Sequence, residues 1–205
     1  MPTWQITAGE AAGISRVNAS ARYYPICGYI GDNGTEIYTQ ARMRDAYTFS
    51  NLWIRVTANT WSAATIVRFR IGGVNGNQNL SIPANTTGVV EDIANTDAVV
   101  DGNLVDTSLT PAAGAGSITF TMISYVLTSA NNAAPFIVYD HDAPGMVFGT
   151  TKYTVIDGRH RQSDFETWIR YTFRAATTVS NLRAYCYINN CDGATTVRSR
   201  ISTVF

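Results

Sequence analysis

Residues 46–71, AYTFSNLWIRVTANTWSAATIVRFRI, contain two alternating apolar and polar segments on either side of a short polar turn. Alternation is clearest within residues 63–71, where Val67, Phe69 and Ile71 fall on one side and Ile66, Arg68 and Arg70 fall on the other. Side chains that alternate with a period of two indicate a strand with one buried face. The stretch therefore predicts two neighbouring strands, at residues 47–58 and 63–71, of an all-β protein.

The same stretch recurs without a gap 130 residues later, as ATTVSNLRAYCYINNCDGATTVRSRI at residues 176–201. Similarity at this offset begins upstream at Val17/Val147 and preserves roughly one position in three, which indicates an internal duplication. The identical pairs include Tyr23/Tyr153, Glu36/Glu166, Asn51/Asn181, Arg68/Arg198 and Arg70/Arg200. Residues 76–130 have no counterpart before Phe205. Three explanations stay open: a longer natural chain, completion by strands of a neighbouring subunit, or two four-stranded units that face each other as halves of one sandwich.

Turn-forming residues separate further short segments of strand-like composition. Besides 47–58 and 63–71, we predict strands at residues 20–30, 36–44, 78–82, 87–93, 103–108 and 117–129, one helical turn within 91–100 and a loop at 110–117. The predicted fold is all-β, with tandem jelly-roll-like antiparallel β-sandwich units of which the second is incomplete. The predicted organisation is an N-terminal arm at 1–15, a complete unit at 16–130 and a half unit at 131–205.

Composition excludes several classes of partner. Charged residues make up 15% of the chain, the formal net charge is zero and Lys152 is the single lysine. Because a basic excess is missing, we expect no nucleic-acid binding, and the short apolar runs predict no membrane span. The N-terminal sequence MPTWQITAGEAAG lacks the features of a signal peptide. Cys186 and Cys191 flank a predicted turn, so a disulfide is conceivable, although the apolar counterparts at 56 and 61 favour buried thiols.

Catalytic motifs are absent from the sequence. It has no nucleophile elbow, phosphate-binding loop, HExxH motif or paired CxxC motifs. Consecutive side chains of an extended segment point to opposite sides, so the Asp-His-Asp sequence around His141 favours a solvated turn over a metal site. A loose acidic group does not match the spacing of a calcium-binding EF-hand loop, and it comprises Glu91, Asp92, Asp97, Asp101 and Asp106. We predict no enzymatic activity, no cofactor and no metal.

Aromatic residues are frequent, and an exposed platform of them would suit sugar stacking or a subunit interface. Core packing is expected to account for most of this set, which includes Tyr23, Tyr24, Tyr38, Trp53, Trp61, Trp168, Tyr171, Tyr185 and Tyr187. For the paired arginines at 68/70 and 198/200, a solvated sheet face and a salt-bridged surface between subunits are both open.

Residues 64–73 (ATIVRFRIGG) and 75–106 (NGNQNLSIPANTTGVVEDIANTDAVVDGNLVD) resemble a segment of β-sandwich repeat domains in tailed-phage virion structural proteins. The shared features are an arginine-rich alternating strand, an NGN turn, an I-P-A strand end and an acidic ED-x-x-N-T-D loop. The resemblance implies a structural role in a virion, as a capsid decoration, head fibre or tail component. It implies no catalytic residue.

The sequence thus predicts a non-enzymatic structural protein of a phage-like virion, assembled in the host cytoplasm, that contacts other virion subunits and forms a homo-oligomer. The predicted assembly interface consists of the N-terminal segment and the terminal strand, with Trp4, Ile6, Val197, Ile201, Val204 and Phe205 as its residues. The alternative is an extracellular carbohydrate-binding or adhesin β-sandwich module, which would bind glycans through exposed aromatics and loop aspartates.

Overall fold

The computed structural model describes residues 1, 3–16, 20–111, 116–129 and 131, and the backbone of 153–154 and 162–163. Over these residues the protein is all-β, with two sheets that form a β-sandwich, which confirms the predicted fold class. The strands are β1 (Thr3–Arg16), β2 (Arg22–Tyr24), β3 (Gly28–Tyr29), β4 (Ala41–Arg42), β5 (Tyr47–Asn59), β6 (Thr65–Ile71), β7 (Val74–Ile82), β8 (Gly88–Val99), β9 (Leu104–Thr110), β10 (Ile118–Ser129), β11 (Tyr153–Thr154) and β12 (Gln162–Ser163).

The strands are arranged in two five-stranded sheets and one separate pair. Sheet A has the order β3-β1-β10-β5-β8, and sheet B has the order β2-β9-β6-β7, with β4 also paired to β9. All pairs in both sheets are antiparallel except that of β1 with β3. The strands β11 and β12 pair with each other.

Aromatic side chains on the inner faces join the two sheets. Phe49 of β5 stacks on Phe69 of β6 with ring centroids 4.6 Å apart, and Tyr125 of β10 packs edge-on against both rings, at 5.7 and 5.3 Å. The Tyr125 hydroxyl forms a 2.6 Å hydrogen bond with Thr107 Oγ1 of β9. These four side chains are fully buried, so a single core lies between the sheets.

Several predicted segments differ from the observed strands. Within the segment 1–15, predicted as an arm, residues 3–15 belong to β1, which lies within sheet A and pairs with β10. Residues 36–44 contain a 3-10 turn at Glu36–Tyr38 followed by β4, and residues 20–30 contain both β2 and β3. The helical turn predicted within 91–100 was wrong, because residues 91–99 continue β8.

One pairing recurs at the offset of the internal repeat. Tyr23 forms a β-bridge with Asn33, and 130 residues later Tyr153 pairs with Ser163 between β11 and β12. Several predicted features lie outside the described residues, and they include most of the half unit at 131–205, His141, the pair Cys186 and Cys191, and the candidate interface residues Val197, Ile201, Val204 and Phe205.

Side-chain carboxylates join the two sheets where β7, an edge strand of sheet B, lies beside β8, an edge strand of sheet A. The backbone amides of Asn77 and Gln78 donate to Asp97 Oδ1 and Oδ2 at 2.7 and 2.9 Å, and the amide of Asn79 donates to Asp92 Oδ2 at 2.8 Å. These acceptors replace a neighbouring strand for part of the β7 edge. We call this contact the carboxylate seam. It explains why residues 91–99 extend alongside β7 instead of coiling into a helical turn.

Two further features fit the carboxylate seam. A Cβ atom at Gly76 would lie 2.7 Å from Asp97 Oδ1, so the close approach of β7 requires glycine there. Burial raises the pKa of Asp92, but hydrogen bonds from the Asn79 amide and from Asn95 outweigh burial, and the net pKa is lowered. A carboxylate whose pKa is lowered by folding stabilises the fold above its unfolded-state pKa and loses that contribution as the pH falls through the folded-state value.

We expect Asp97→Ala to lower the free energy of unfolding by about 3 kcal/mol, because two β7 amides lose a charged acceptor and become unsatisfied. Urea denaturation at neutral pH measures the change. Asp101→Ala, in the exposed turn between β8 and β9, is the control and should have little effect. A loss of stability no larger in the Asp97 variant than in the control would show that the carboxylate seam does not hold β7.

Candidate functional site

Polar side chains form a row across the outer surface of sheet B. Cross-strand pairing aligns Tyr23 of β2 with Ser108 of β9, Ser108 with Arg68 of β6, and Arg68 with Asn79 of β7. We call these four residues the polar face. Because neighbouring strands are ~4.8 Å apart, a row across four strands is ~14 Å long. The polar face is therefore long enough to contact an extended ligand.

Strand periodicity places these side chains outside the core. Val67 and Phe69 of β6 are fully buried, whereas Arg68 between them is only half-buried, which confirms the alternation predicted for residues 63–71. On β7, Leu80 is buried and Asn79 is exposed. Solvent thus reaches the polar face fully at Asn79 and partly at Arg68 and Tyr23, whereas Ser108 is buried between the last two.

Arg68 differs from the other arginine on its strand. Among the described residues, no hydrogen-bond acceptor or carboxylate contacts its guanidinium, which offers five N–H donors in a planar fork. By contrast, each guanidinium nitrogen of Arg70, two residues further on the same face, donates a hydrogen bond to a neighbouring residue. A half-buried guanidinium without a partner, beside an exposed amide, is a group available to a ligand.

The partners of Arg70 come from a turn and a hairpin. Its Nε donates to Glu36 Oε1 at 2.6 Å and its Nη2 to Glu36 Oε2 at 3.1 Å, a bidentate ion pair. It also donates to Asn75 Oδ1 and to the carbonyl oxygen of Gly73. Its guanidinium carbon lies 5.6 Å from the ring centroid of Tyr23. The salt bridge of Arg70 is therefore formed within the chain, next to the polar face.

A buried carboxyl group lies directly beside this ion pair. Asp106 of β9 pairs in register with Arg70, has no solvent exposure, and accepts a 3.0 Å hydrogen bond from Thr39 Oγ1 at Oδ2. Its other oxygen, Oδ1, has no hydrogen-bond partner within the described part of the chain. Burial, and then the charge of Glu36, raise the pKa of Asp106 to about 8. The surroundings of this carboxyl group therefore favour its protonated form.

The other aromatic and acidic residues that the sequence singled out do not belong to the polar face. Tyr24 and Trp61 are fully buried in the core, whereas Tyr38 is 41% exposed on the turn that follows Glu36. The five acidic residues considered for calcium are dispersed, and the described part of the chain brings no three histidine, cysteine or acidic side chains together as metal ligands. Within that same part, no helix has the length and apolar character needed to span a membrane.

The two described residues of the predicted assembly interface lie on β1. Trp4 and Ile6 are half-buried, and Ile6 packs against the core. On the side away from β10, β1 pairs with β3 only at Ala8 and Gly9. In the described structure, residues 3–7 therefore have no strand beside them on that side.

Sequence reasoning identified Arg68 and Arg70 but not the polar face or the partners of Arg70. Glu36 and Arg70 are separated by 34 residues, and Thr39 and Asp106 by 67. The recurrence of Tyr23, Glu36, Arg68 and Arg70 at an offset of 130 was the one signal that linked these residues before their contacts were known.

Comparison with known proteins gives no family model and no curated protein that matches the chain. Among solved structures, a family 35 carbohydrate-binding module from Clostridium thermocellum is 15% identical, with a TM-score of 0.36, over 62% of this chain and 99% of its own. CBM35 from Cellvibrio japonicus Abf62 is 20% identical, with a TM-score of 0.35, over 63% and 100%. A carbohydrate-binding module CBM36 in complex with calcium and xylotriose is 12% identical, with a TM-score of 0.31, over 60% and 98%.

Similarity at this level concerns the fold and transfers no ligand to this chain. The structures just named are carbohydrate-binding modules and not phage virion proteins. The virion role therefore stays a prediction.

We expect the stability of the protein to fall as the pH rises from about 4 through about 8, because Asp106 binds its proton more tightly in the folded than in the unfolded chain. Asp106→Asn should reduce this decline and should make the protein more stable than the wild type at pH 9. Urea denaturation at pH 6 and pH 9 measures both, with Asp101→Asn as a control. Equal decline in all three proteins would show that Asp106 does not titrate in this range.

Proposed function

We propose that this chain is a non-enzymatic carbohydrate-binding β-sandwich module and that the polar face binds an oligosaccharide. The observation that supports this proposal most strongly is the guanidinium of Arg68, which has no partner among the described residues and lies in register between Ser108 and the exposed Asn79. It offers a fixed set of donors on a solvent-accessible sheet surface.

The chemistry of the polar face fits a ligand rich in hydroxyl groups. Arginine supplies only donors, the asparagine amide supplies donors and an acceptor, and the serine and tyrosine hydroxyls supply both. A sugar presents closely spaced hydroxyls that donate and accept. A nucleic acid would require a more basic surface than one with a formal net charge of zero provides. A protein partner would favour an apolar centre, whereas this row is polar throughout.

The turn whose Glu36 contacts Arg70, next to the polar face, carries two exposed apolar side chains. Ile37 and Tyr38 are 46% and 41% exposed. Aromatic and aliphatic side chains of this kind pack against the C–H surface of a sugar ring while polar neighbours contact its hydroxyls. The turn and the polar face together supply both types of contact.

Binding is tested by a glycan array followed by calorimetric titration with the best ligand. We expect Arg68→Ala to weaken binding about tenfold or more, because losing a charge-assisted hydrogen bond costs about 1.5–3 kcal/mol and every 1.4 kcal/mol is tenfold in affinity. Arg55→Ala is the matched control, since Arg55 is an exposed arginine on β5, an inner strand of the other sheet.

If both arginine variants bind as tightly as the wild type, the ligand does not contact the polar face. If the wild-type protein binds no soluble or immobilised glycan, the proposed function fails. Circular dichroism of each variant ensures that a loss of binding is not a loss of folding.

A second candidate is a structural subunit that assembles by strand addition, in keeping with the predicted virion role. The observation that favours it is the side of β1 at residues 3–7 that faces no described strand. Exposed strand edges pair readily with other chains, and two copies of β1 related by a twofold axis would pair antiparallel. Trp4 and Ile6, the residues predicted for assembly, would lie at this contact.

Lysines on an edge strand oppose such pairing. We expect the double variant Thr3→Lys and Gln5→Lys to shift an oligomer towards the monomer in light scattering, since both side chains are exposed on β1. The matched control is Thr48→Lys with Thr57→Lys on β5, which has a strand on both sides. Unchanged mass in the β1 variant, or a wild-type protein that is monomeric at high concentration, contradicts the assembly role.

A further inference from the structure

We infer that the turn at residues 35–39 is one wall of the carbohydrate site and that it is held by a proton shared between Glu36 and Asp106, so that ligand affinity falls when this proton is lost in alkaline solution. This inference rests on the proposed function. It adds a positioning element and a regulation that the polar face alone does not provide.

Two anchors attach the turn to the outer surface of sheet B. At the start of the turn, the carboxylate of Glu36 accepts hydrogen bonds from Arg70, and at its end the hydroxyl of Thr39 donates a hydrogen bond to Asp106. Inside the turn, the amide of Thr39 donates to the carbonyl oxygen of Glu36 at 2.9 Å. Both anchors reach side chains next to the polar face, because Arg70 and Arg68 are two residues apart on one face of β6, about 7 Å along the strand.

The two anchors involve two carboxyl groups and one guanidinium, so their charges balance only if one carboxyl group is protonated. Two charged groups act on Asp106: Glu36 of the turn raises its pKa and Arg70 of β6 lowers it. Burial and, to a smaller extent, the charge of Asp106 raise the pKa of Tyr125 in β10. Two carboxyl groups thus share one guanidinium. Asp106 Oδ1 is buried and, among the described residues, has no hydrogen-bond partner. A proton on Oδ1 that is donated to the Glu36 carboxylate gives this oxygen a hydrogen bond. The raised pKa of Asp106 agrees with this arrangement.

Loss of the proton affects the turn more than the sheet. Two carboxylates in a poorly solvated site repel each other, and Asp106 is fixed within β9 with no solvent exposure. Glu36 has 17% side-chain exposure on a short turn and is the group free to move into water. Its departure breaks the ion pair with Arg70 and displaces Ile37 and Tyr38, the exposed apolar side chains of the turn.

The experiment combines a direct observation of the turn with a measurement of affinity. Amide NMR shifts of residues 36–39 are followed from pH 6.5 to pH 9.5 in the wild type, Asp106→Asn and Asp101→Asn. Asparagine keeps the acceptor for Thr39 and places N–H donors near Glu36, so it mimics the protonated carboxyl at every pH. Affinity for the glycan identified by the array is measured over the same range.

We expect the turn amides of the wild type and of Asp101→Asn to titrate together near pH 8, with affinity falling about tenfold across the transition. In Asp106→Asn the shifts and the affinity should both stay constant. Arg68→Ala should weaken binding equally at both ends of the range, because Arg68 contacts ligand and does not hold the turn.

Turn amides that do not titrate in the wild type overturn the inference, whether or not a glycan binds. A wild-type affinity that is constant while the turn titrates also overturns it, because the turn would then not border the ligand. A protein that binds no glycan but shows the titration refutes the proposed function and retains the proton-held turn. If Asp106→Asn does not fold, the wild-type titration and the Asp101→Asn control still decide between these outcomes.

Discussion

The carboxylate seam determines where the last strand of sheet B lies. A sandwich of two open sheets exposes edge amides, and β7 would present its own to solvent if Asp97 and Asp92 did not accept them. Because these carboxylates belong to β8 of sheet A, satisfying the amides also fixes one sheet relative to the other. Asn79 is placed in the polar face by the same contact, since its amide is one of the three donors. The shape of the candidate site therefore depends on a contact that no ligand touches.

Strand pairing also shows that the repeated stretch contains β5 and β6 but not the strands with which they pair. In the described unit, β5 pairs with β10 and β8, and β6 pairs with β7 and β9, so neither strand pairs with the other. The sequence at 176–201 repeats β5 and β6 but is followed by no counterpart of residues 76–130. In the described unit, all of these lateral partners lie outside residues 46–71. Conservation of strand sequence therefore does not carry with it the contacts that stabilise those strands.

Sequence reasoning succeeded where the physics is local and failed where it is not. Alternation within β6 was predictable because period two depends only on adjacent residues, and the core position of Phe69 followed from it. The extent of β8 was missed because the acidic and polar sequence at 91–97 suits a loop unless another strand needs its carboxylates. Likewise, the polar face requires the register of four strands, and the raised pKa of Asp106 depends on its burial and on Glu36, 70 residues away along the chain.

The residues on the outer surface of sheet B differ in whether the internal repeat contains a counterpart of them. The residues repeated at an offset of 130 are Tyr23, Glu36, Arg68 and Arg70, whose counterparts are Tyr153, Glu166, Arg198 and Arg200. Asp106 and Asn79 belong to the segment without a counterpart. A guanidinium facing one carboxylate needs no extra proton, whereas a guanidinium facing two carboxylates does. Residues 131–205 therefore repeat Tyr23, Glu36, Arg68 and Arg70 in sequence and contain no counterpart of Asn79, Ser108 or Asp106. The repeat within residues 131–205 therefore offers a guanidinium and one carboxylate, whereas the described unit adds a second carboxyl group at Asp106.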